Sequence, residues 1–239
     1  MRTDTGIRTQ EMEKIRACLF DLDGVIVDTA KYHYLAWKKL ADELNIDFGR
    51  ESNELLKGVS RMRSLEIILE LGNRTLTEDE KIACAEKKNA IYLEYIRQLQ
   101  EEEILPGVRS FIEELKISHI RVALGSASKN ASLILEQLNI LNLFDVIIDG
   151  NKISKAKPDP EVFLKGAEEL LVNPGSCVVF EDALAGIEAA RNAGMFCVGV
   201  GDKKTLAQAD FVIPGFKGFT LADLRSIGLG HRADNSSVT

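Results

Sequence analysis

The chain changes its hydrophobic rhythm twice. Its first ordered signal is a short apolar run, Ala17-Cys18-Leu19-Phe20, that stops at Asp21. Such a run, closed by a carboxylate and a turn, reads as a strand buried on both faces of a parallel sheet. From about residue 30 to residue 100 the apolar positions recur at helical spacing and no good strand intervenes. Helical patterns run from Tyr32 through Leu44, over 61–71 and over 77–99. The last opens on Thr77-Glu78-Asp79-Glu80, a reciprocal capping pattern.

Pro106-Gly107 ends this regime. Beyond it helices are predicted at 108–117, 128–138, 160–171 and 183–193, with a short one at 206–209. Strands are predicted between them at 121–125, 144–148, 177–181, 196–200 and 211–213. Alternation of this kind implies βαβ units on a parallel sheet, which the first strand most simply joins. The predicted fold is α/β: a doubly wound parallel-sheet core, residues 1–29 and 101–239, interrupted by an inserted helical cap domain, residues 30–100. The first dozen residues read as a mobile tail and the stretch after Gly228 as frayed.

Composition narrows the function. At 239 residues and 45% hydrophobic the chain has material for one large domain or two unequal ones. A net charge of −7 argues against a nucleic-acid partner, which requires a clustered basic surface. It leaves open a phosphorylated small molecule, because local Lys and Arg residues decide that. The four cysteines, Cys18, Cys84, Cys177 and Cys197, form no C-x-x-C pair. Three of them sit in apolar runs and read as reduced core residues of a cytoplasmic protein. Residues 1–14 lack the apolar centre of a signal peptide, and no segment is long enough to cross a membrane.

Candidate chemistry collects at strand ends, where open α/β sheets carry their sites. Asp21 closes the first strand and Asp23 follows in Asp-Leu-Asp-Gly; as turn formers alone they would be ordinary. Ser126 follows the strand at 121–125, with Ala127, Ser128, Lys129 and Asn130 at a predicted helix start suited to phosphate; Ser128 as a plain helix cap is the structural alternative. Lys157 precedes Pro158-Asp159-Pro160, where Pro160 suits a first helical position and Asp159 its cap. Glu181-Asp182 closes the strand at 177–181. Two acidic pairs on different strand ends make an oxygen-rich site for Mg²⁺. Nucleophile, metal, phosphoryl grip and acid/base are the parts of phosphoryl transfer through a covalent carboxylate intermediate.

Phe20-Asp21-Leu22-Asp23-Gly24-Val25, Ser126, Lys157-Pro158 and Glu181-Asp182 resemble, in order and over nearly the whole chain, the haloacid dehalogenase-like superfamily. The resemblance implies a Rossmannoid core with a cap inserted after the first strand. A further set is similar to the superfamily's hexose-phosphate mutase branch: Asp28-Thr29, His33, Trp37, Lys57-Gly58-Val59-Ser60-Arg61, Ser64, Lys88-Asn89 and the 126–130 loop.

The resemblance implies that Asp21 is the nucleophile and a metal ligand, and that Asp23 is the general acid/base, its carbonyl also a ligand. Glu181 and Asp182 complete the Mg²⁺ donors. Ser126, Ala127 and Lys157 hold the transferring phosphoryl group. Arg61, with Ser128, Lys129 and Asn130, grips the sugar's other phosphate. Thr29 and His33 lie near the hinge; Trp37, Lys57, Gly58, Val59, Ser64, Lys88 and Asn89 line the cap side. Trp37 as cap packing, Lys88-Asn89 as a solvated helix face and His33 as a structural histidine are the plainer readings.

The implied activity is interconversion of β-glucose 1-phosphate and glucose 6-phosphate through an aspartyl-phosphate and β-glucose 1,6-bisphosphate, by a monomer. A sugar-phosphate phosphatase of the same superfamily and a non-catalytic sugar-phosphate-binding protein are the competing readings. Asp21→Asn is expected to abolish turnover and Asp23→Asn to remove most of it. Wild-type-like turnover by either, in a glucose 6-phosphate assay, would overturn the assignment.

Overall fold

A computed structural model describes residues 15–56 and 59–230; the expected N-terminal tail and the last nine residues lie outside them. β1 (Ala17–Phe20) is at the centre of a six-stranded parallel sheet. β2 (Arg121–Gly125), β3 (Val146–Ile148), β4 (Cys177–Glu181), β5 (Phe196–Val200) and β6 (Phe211–Ile213) give the order β3-β2-β1-β4-β5-β6. The order reverses between β1 and β4, and that switch point is where a doubly wound sheet opens a binding crevice. Phe20 pairs with Phe180 and with Leu124, so β1 and its two neighbours reach the crevice nearly level.

Alternation along each strand divides the core into two layers. Cys18 and Phe20 face a cluster of Phe111, Phe180 and Phe216. Ala17 and Leu19 face Phe163, Val179 and Ile187 on the opposite side. The helices covering the sheet are α4 (Val108–Ile117), α5 (Ala131–Gln137), α6 (Glu161–Glu169), α7 (Leu184–Asn192) and α8 (Leu221–Gly230). Between β1 and β2 lie α1 (Ala30–Glu43), α2 (Arg61–Leu71) and α3 (Glu78–Ile96), with a single helical turn at Arg50–Asn53. These helices pack on one another around Trp37, Leu40, Phe48, Leu65 and Ile68, a cluster of their own. α3 begins with the expected capping box between Thr77 and Glu80. Cys18, Cys177 and Cys197 are buried, and the described cysteines are all free thiols.

Several boundaries differ from expectation. α5 begins at Ala131 rather than 128, because Ser126 and Ser128 spend their hydroxyls on local turns: Ser128 N–H donates to Ser126 Oγ and Asn130 N–H to Ser128 Oγ. Pro160 is the cap position of α6, not its first residue, while Asp159 Oδ1 still accepts from Glu161 N–H at 3.0 Å. Residues 206–209 form turns, not a helix, and β3 starts two residues late. Helix α8 went unanticipated. Its signal was Thr220-x-x-Asp223, whose side chains cap each other's N–H groups at 2.9 and 3.2 Å.

Phe111 lies 1% exposed, with ring centroids 5.3 Å from Phe216 and 5.5 Å from Phe180. Phe111→Ala should cost about 3–5 kcal/mol in equilibrium urea unfolding. A loss below about 1 kcal/mol would mean that this aromatic layer does not hold α4 to the sheet.

Candidate active site

Asp21 follows β1 directly, and its N–H still donates to the Phe180 carbonyl at 3.0 Å. Glu181 ends β4 beside it. Both carboxylates are buried, and the buried Lys157 ammonium joins them: Nζ donates to Asp21 Oδ1 at 2.5 Å and to Glu181 Oε1 at 2.6 Å. Burial opposes the Lys157 charge, but Asp21 and Glu181 outweigh it and hold its pKa above the ordinary lysine value. Glu181 Oε2 accepts from Ala183 N–H at 2.8 Å, so both its oxygens are engaged. The approach to Lys157 is held by Glu161, whose Oε2 accepts from the N–H groups of Ser154 and Lys155 at 2.9 and 2.7 Å.

Two glycines let these acidic turns close on one another. Gly24 has φ +81°, and a Cβ there would lie 2.1 Å from Asp182 Oδ2. A Cβ on Gly186 would lie 1.8 Å from Glu181 Oε1. Asp23 is partly buried; burial first and the neighbouring Asp21 next push its carboxyl up to about 7, against the pull of Lys88 and Lys157. Thr29 donates its hydroxyl proton to Asp23 Oδ1. Burial, then Glu181, Asp21 and Asp23, raise Asp182 to about 8.

Among the described residues no donor reaches the Asp182 carboxylate, and no three acidic, histidine or cysteine side chains form a ready-made metal cluster. Four carboxylates around one ammonium nevertheless leave negative charge in excess, and their oxygens are the donors a hard divalent cation takes. The chemistry of the donor set therefore fits such an ion.

These groups floor a cavity of about 590 Å³ between sheet edge and helical segment, within the size range of small-molecule sites. The opposite wall is built by α1, α2 and α3. Ser60 caps α2 and sets Arg61 at its first position. Arg61 Nη2 donates to Asn89 Oδ1 at 2.8 Å, and Asn130 Nδ2 donates to the same oxygen at 2.8 Å. Arg61 and Asn89 come from the helical segment and Asn130 from the core, so one amide oxygen ties the two together. Lys88 is only 2% exposed, lying over the rings of Trp37 and Tyr92 at 4.8 and 4.6 Å, with Nζ 2.8 Å from His33 Nδ1. Burial, then Arg61, lower Lys88 to about 7, while Asp23 opposes; burial, Lys88 and Arg61 hold His33 well below its usual range.

Of the residues singled out in the sequence, Asp21, Asp23, Ser126, Lys157, Glu181 and Asp182 meet at the cavity floor. Ala127, Ser128, Lys129 and Asn130 form its core-side rim, and His33, Trp37, Val59, Arg61, Ser64, Lys88 and Asn89 its other wall. Lys57 and Gly58 lie outside the described residues. Thr29 does not line the cavity; it is fully buried behind Asp23. The solvated-face reading of Lys88 fails, since its ammonium is buried. Trp37 is both buried packing and cavity wall. Sequence reading missed the apolar mouth residues Leu56, Met62, Ile82 and Ile153, which no motif marks.

Comparison with known proteins identifies the family. Residues 15–194 match the haloacid dehalogenase-like hydrolase family, and the chain belongs to that family. Within it, the chain falls among the β-phosphoglucomutases. It is 44% identical to β-phosphoglucomutase of Bacillus subtilis over 209 residues, 87% of this chain and 92% of that one. The crystal structure of β-phosphoglucomutase from Clostridium difficile superposes with TM-score 0.87 at 44% identity, covering 91% of this chain and 99% of that one. A phosphorylated carbohydrates phosphatase of Thermotoga maritima is more distant, 31% identical over 76% of this chain and 82% of that one.

Lys88 yields a pH prediction. Its pKa is about 7 folded, against an ordinary 10.5, so between those values the unfolded chain binds more protons. Stability should therefore rise with pH across that window. Measured against Lys88→Met, the wild type should gain on the order of 2 kcal/mol in urea unfolding between about pH 7 and about pH 9.5. A gap that does not change with pH would show that the ammonium is not held down by burial.

Proposed function

We propose that this protein interconverts β-D-glucose 1-phosphate and D-glucose 6-phosphate, the reaction of a β-phosphoglucomutase. The observation that carries the reading is a cavity with two unlike ends. One end holds Asp21, Ser126 and Lys157 at the sheet edge; the other holds Arg61, Asn89 and Asn130. A phosphatase needs only the first. A mutase must hold a sugar by its second phosphate while the first is transferred, and then in the reversed orientation.

In this reading Asp21 is the nucleophile and carries the phosphoryl group. Asp23 takes the proton of the free sugar hydroxyl as that oxygen bonds to phosphorus and the Asp21 oxygen–phosphorus bond breaks. The product, β-glucose 1,6-bisphosphate, turns around in the cavity. Its other phosphoryl group passes to Asp21 while Asp23 returns the proton to the departing oxygen. A carboxyl near pH 7 suits both directions of that exchange. Ser126, the Ala127 N–H and Lys157 bind the phosphoryl oxygens. Arg61, freed from Asn89, takes the distal phosphate with Ser128, Lys129 and Asn130, since guanidinium binds phosphate bidentately. Val59, Ser64, Trp37, Lys88 and Asn89 flank the sugar, and Lys57 and Gly58 belong to the same loop.

The metal donors in this reading are the side chains of Asp21, Glu181 and Asp182 and the main-chain carbonyl of Asp23. Mg²⁺ held there supplies neutralisation of charge on the phosphoryl oxygens. The helical segment, residues 30–100, acts as a cap on the core formed by 1–29 and 101–239. Closure keeps water from the acyl phosphate until a sugar hydroxyl is in place. The enzyme works as a cytoplasmic monomer on a small sugar phosphate, without nucleic-acid or membrane partners. A net charge of −7 argues against a nucleic-acid partner, and no helix among the described residues is long and apolar enough to cross a membrane.

The test is a paired assay with β-glucose 1-phosphate, Mg²⁺ and a trace of β-glucose 1,6-bisphosphate, following glucose 6-phosphate and free phosphate together. Fast glucose 6-phosphate formation with little phosphate release is expected. Phosphate release alone would move the protein to the phosphatases, and neither product, with binding intact, to a sensor. Arg61→Ala should reduce mutase turnover far more than hydrolysis of a small phosphate ester, by at least about tenfold. Equal losses would remove the distal-phosphate role.

A further inference from the structure

The loop from Ser126 to Asn130 reaches the cavity with no regular structure of its own, since β2 ends at Gly125 and α5 begins only at Ala131. The turn that follows β3 holds it from outside. Ser126 N–H donates to the Ile148 carbonyl at 2.9 Å, and Gly150 N–H to the Ser128 carbonyl at 3.1 Å. Asn151 Nδ2 donates to the Lys129 carbonyl at 3.1 Å. Loop and turn run so close that a Cβ on Gly150 would lie 2.3 Å from the Ala127 carbonyl oxygen. Residues 148–151 thus continue the pairing of β3 with β2 past the end of both strands.

Asn151 stands apart because a side chain makes its bond to the loop. That side chain is itself oriented: Nδ2 also donates to Asp149 Oδ2 at 3.1 Å, and Asn151 N–H donates to Asp149 Oδ1 at 2.9 Å. The Lys129 carbonyl and the Asp149 carboxylate are both acceptors, so only the amino end of the amide satisfies them, one proton to each. Among the described residues no other donor reaches the Lys129 carbonyl. Asn130 is tied independently, through its N–H to Ser128 Oγ and through its side chain to Asn89. Lys129 has no second tie. Its side chain lines the cavity and pairs with no carboxylate among the described residues, while Asn151 lies outside the cavity lining. A lysine that closes on a phosphate gives up much rotamer freedom, and it gives up less when its backbone is already fixed.

We propose that Asn151 is a positioning residue for the distal-phosphate end of the cavity and acts through Lys129. By pinning the Lys129 carbonyl it aims the ammonium at the phosphate that the sugar keeps during transfer. Asp149 sets the amide, the amide sets the peptide, and the peptide sets the lysine. This rests on the distal-phosphate role given to Lys129 above and adds a residue that never touches substrate.

The experiment compares Asn151→Ala, Lys129→Ala and the double variant with the wild type. Three quantities are read: the thermal midpoint, turnover of β-glucose 1-phosphate with Mg²⁺ and a trace of β-glucose 1,6-bisphosphate, and hydrolysis of p-nitrophenyl phosphate, which has no second phosphate. Asn151 is exposed, and water can take its place on the Lys129 carbonyl. Asn151→Ala should therefore move the midpoint by no more than about 3 °C. Its KM for β-glucose 1-phosphate should rise about fivefold with kcat within about twofold, since only the ordering of one long side chain is lost. Its hydrolysis of p-nitrophenyl phosphate should not change. The double variant should have the KM of Lys129→Ala, because Asn151 then has nothing to act through. An unchanged KM in Asn151→Ala, a larger fall in midpoint, an equal loss on p-nitrophenyl phosphate, or KM increases that multiply in the double variant would each overturn the proposal. The wild-type control separates this from the mutase reading. If it releases phosphate and forms no glucose 6-phosphate, that reading fails. The same four proteins then decide the Asn151 role on the KM for hydrolysis of β-glucose 1,6-bisphosphate, which carries the second phosphate in either case.

Discussion

A single ammonium joins the ends of two neighbouring strands, and the site depends on it. Asp21 and Glu181 stand side by side because β1 and β4 pair in register, and the sheet leaves both carboxylates little contact with water. Unpaired, they would repel each other in a medium of low dielectric. Lys157 Nζ bonds both, and so turns a repulsive pair into a fixed three-group array. Removing one partner of such a buried array typically costs about 3–5 kcal/mol, because the remaining charge is stranded. The arrangement also orients Asp21, the proposed nucleophile: Oδ1 is held toward Lys157.

The second constraint lies at the opposite end of the cavity. Asn89 Oδ1 accepts from Arg61 and from Asn130, the first from the helical segment and the second from the core. A phosphate brings more acceptor oxygens than one amide and a full negative charge. In the proposed function it would replace this contact with stronger ones to the same donors. The pairing that holds the two walls together without substrate thus uses the donors that substrate would take. A second tie lies where the helical segment begins and ends: Glu103 accepts from Lys31 and Tyr32, which joins the chain entering the segment to the chain leaving it.

The sequence was most legible where local chemistry and global fold agreed. The apolar run ending in Asp21, the Thr77 capping box and the alternation after Pro106-Gly107 each have one stable solution, and each was met. The acidic strand ends were legible because carboxylates after buried strands are costly without a purpose. Boundaries failed where a side chain had two local options. Ser128 was read as a helix start, but the Ser126 and Ser128 hydroxyls bond the loop instead, which delays α5 to Ala131. Thr29 was placed against substrate from resemblance alone; burial behind Asp23 makes it a partner of that carboxylate. Tyr92 carries no motif. It sits at an ordinary apolar position of α3, and only three-dimensional neighbours reveal that its hydroxyl is unpaired.

The remaining anomalies share a location. Lys88 and His33 are depressed, Asp182 lacks a donor and Tyr92 is orphaned, all where the helical segment meets the sheet edge. Elsewhere among the described residues, buried side-chain polar atoms find partners. A protein selected for stability alone would have little use for a buried ammonium at Lys88 or an unpaired hydroxyl at Tyr92. That these costs gather around one cavity is what a site with more than one working state requires. Lys88 and Asp182 have opposite needs, the first for an anion and the second for a cation. In the proposed reaction a phosphorylated sugar and a divalent cation would supply both.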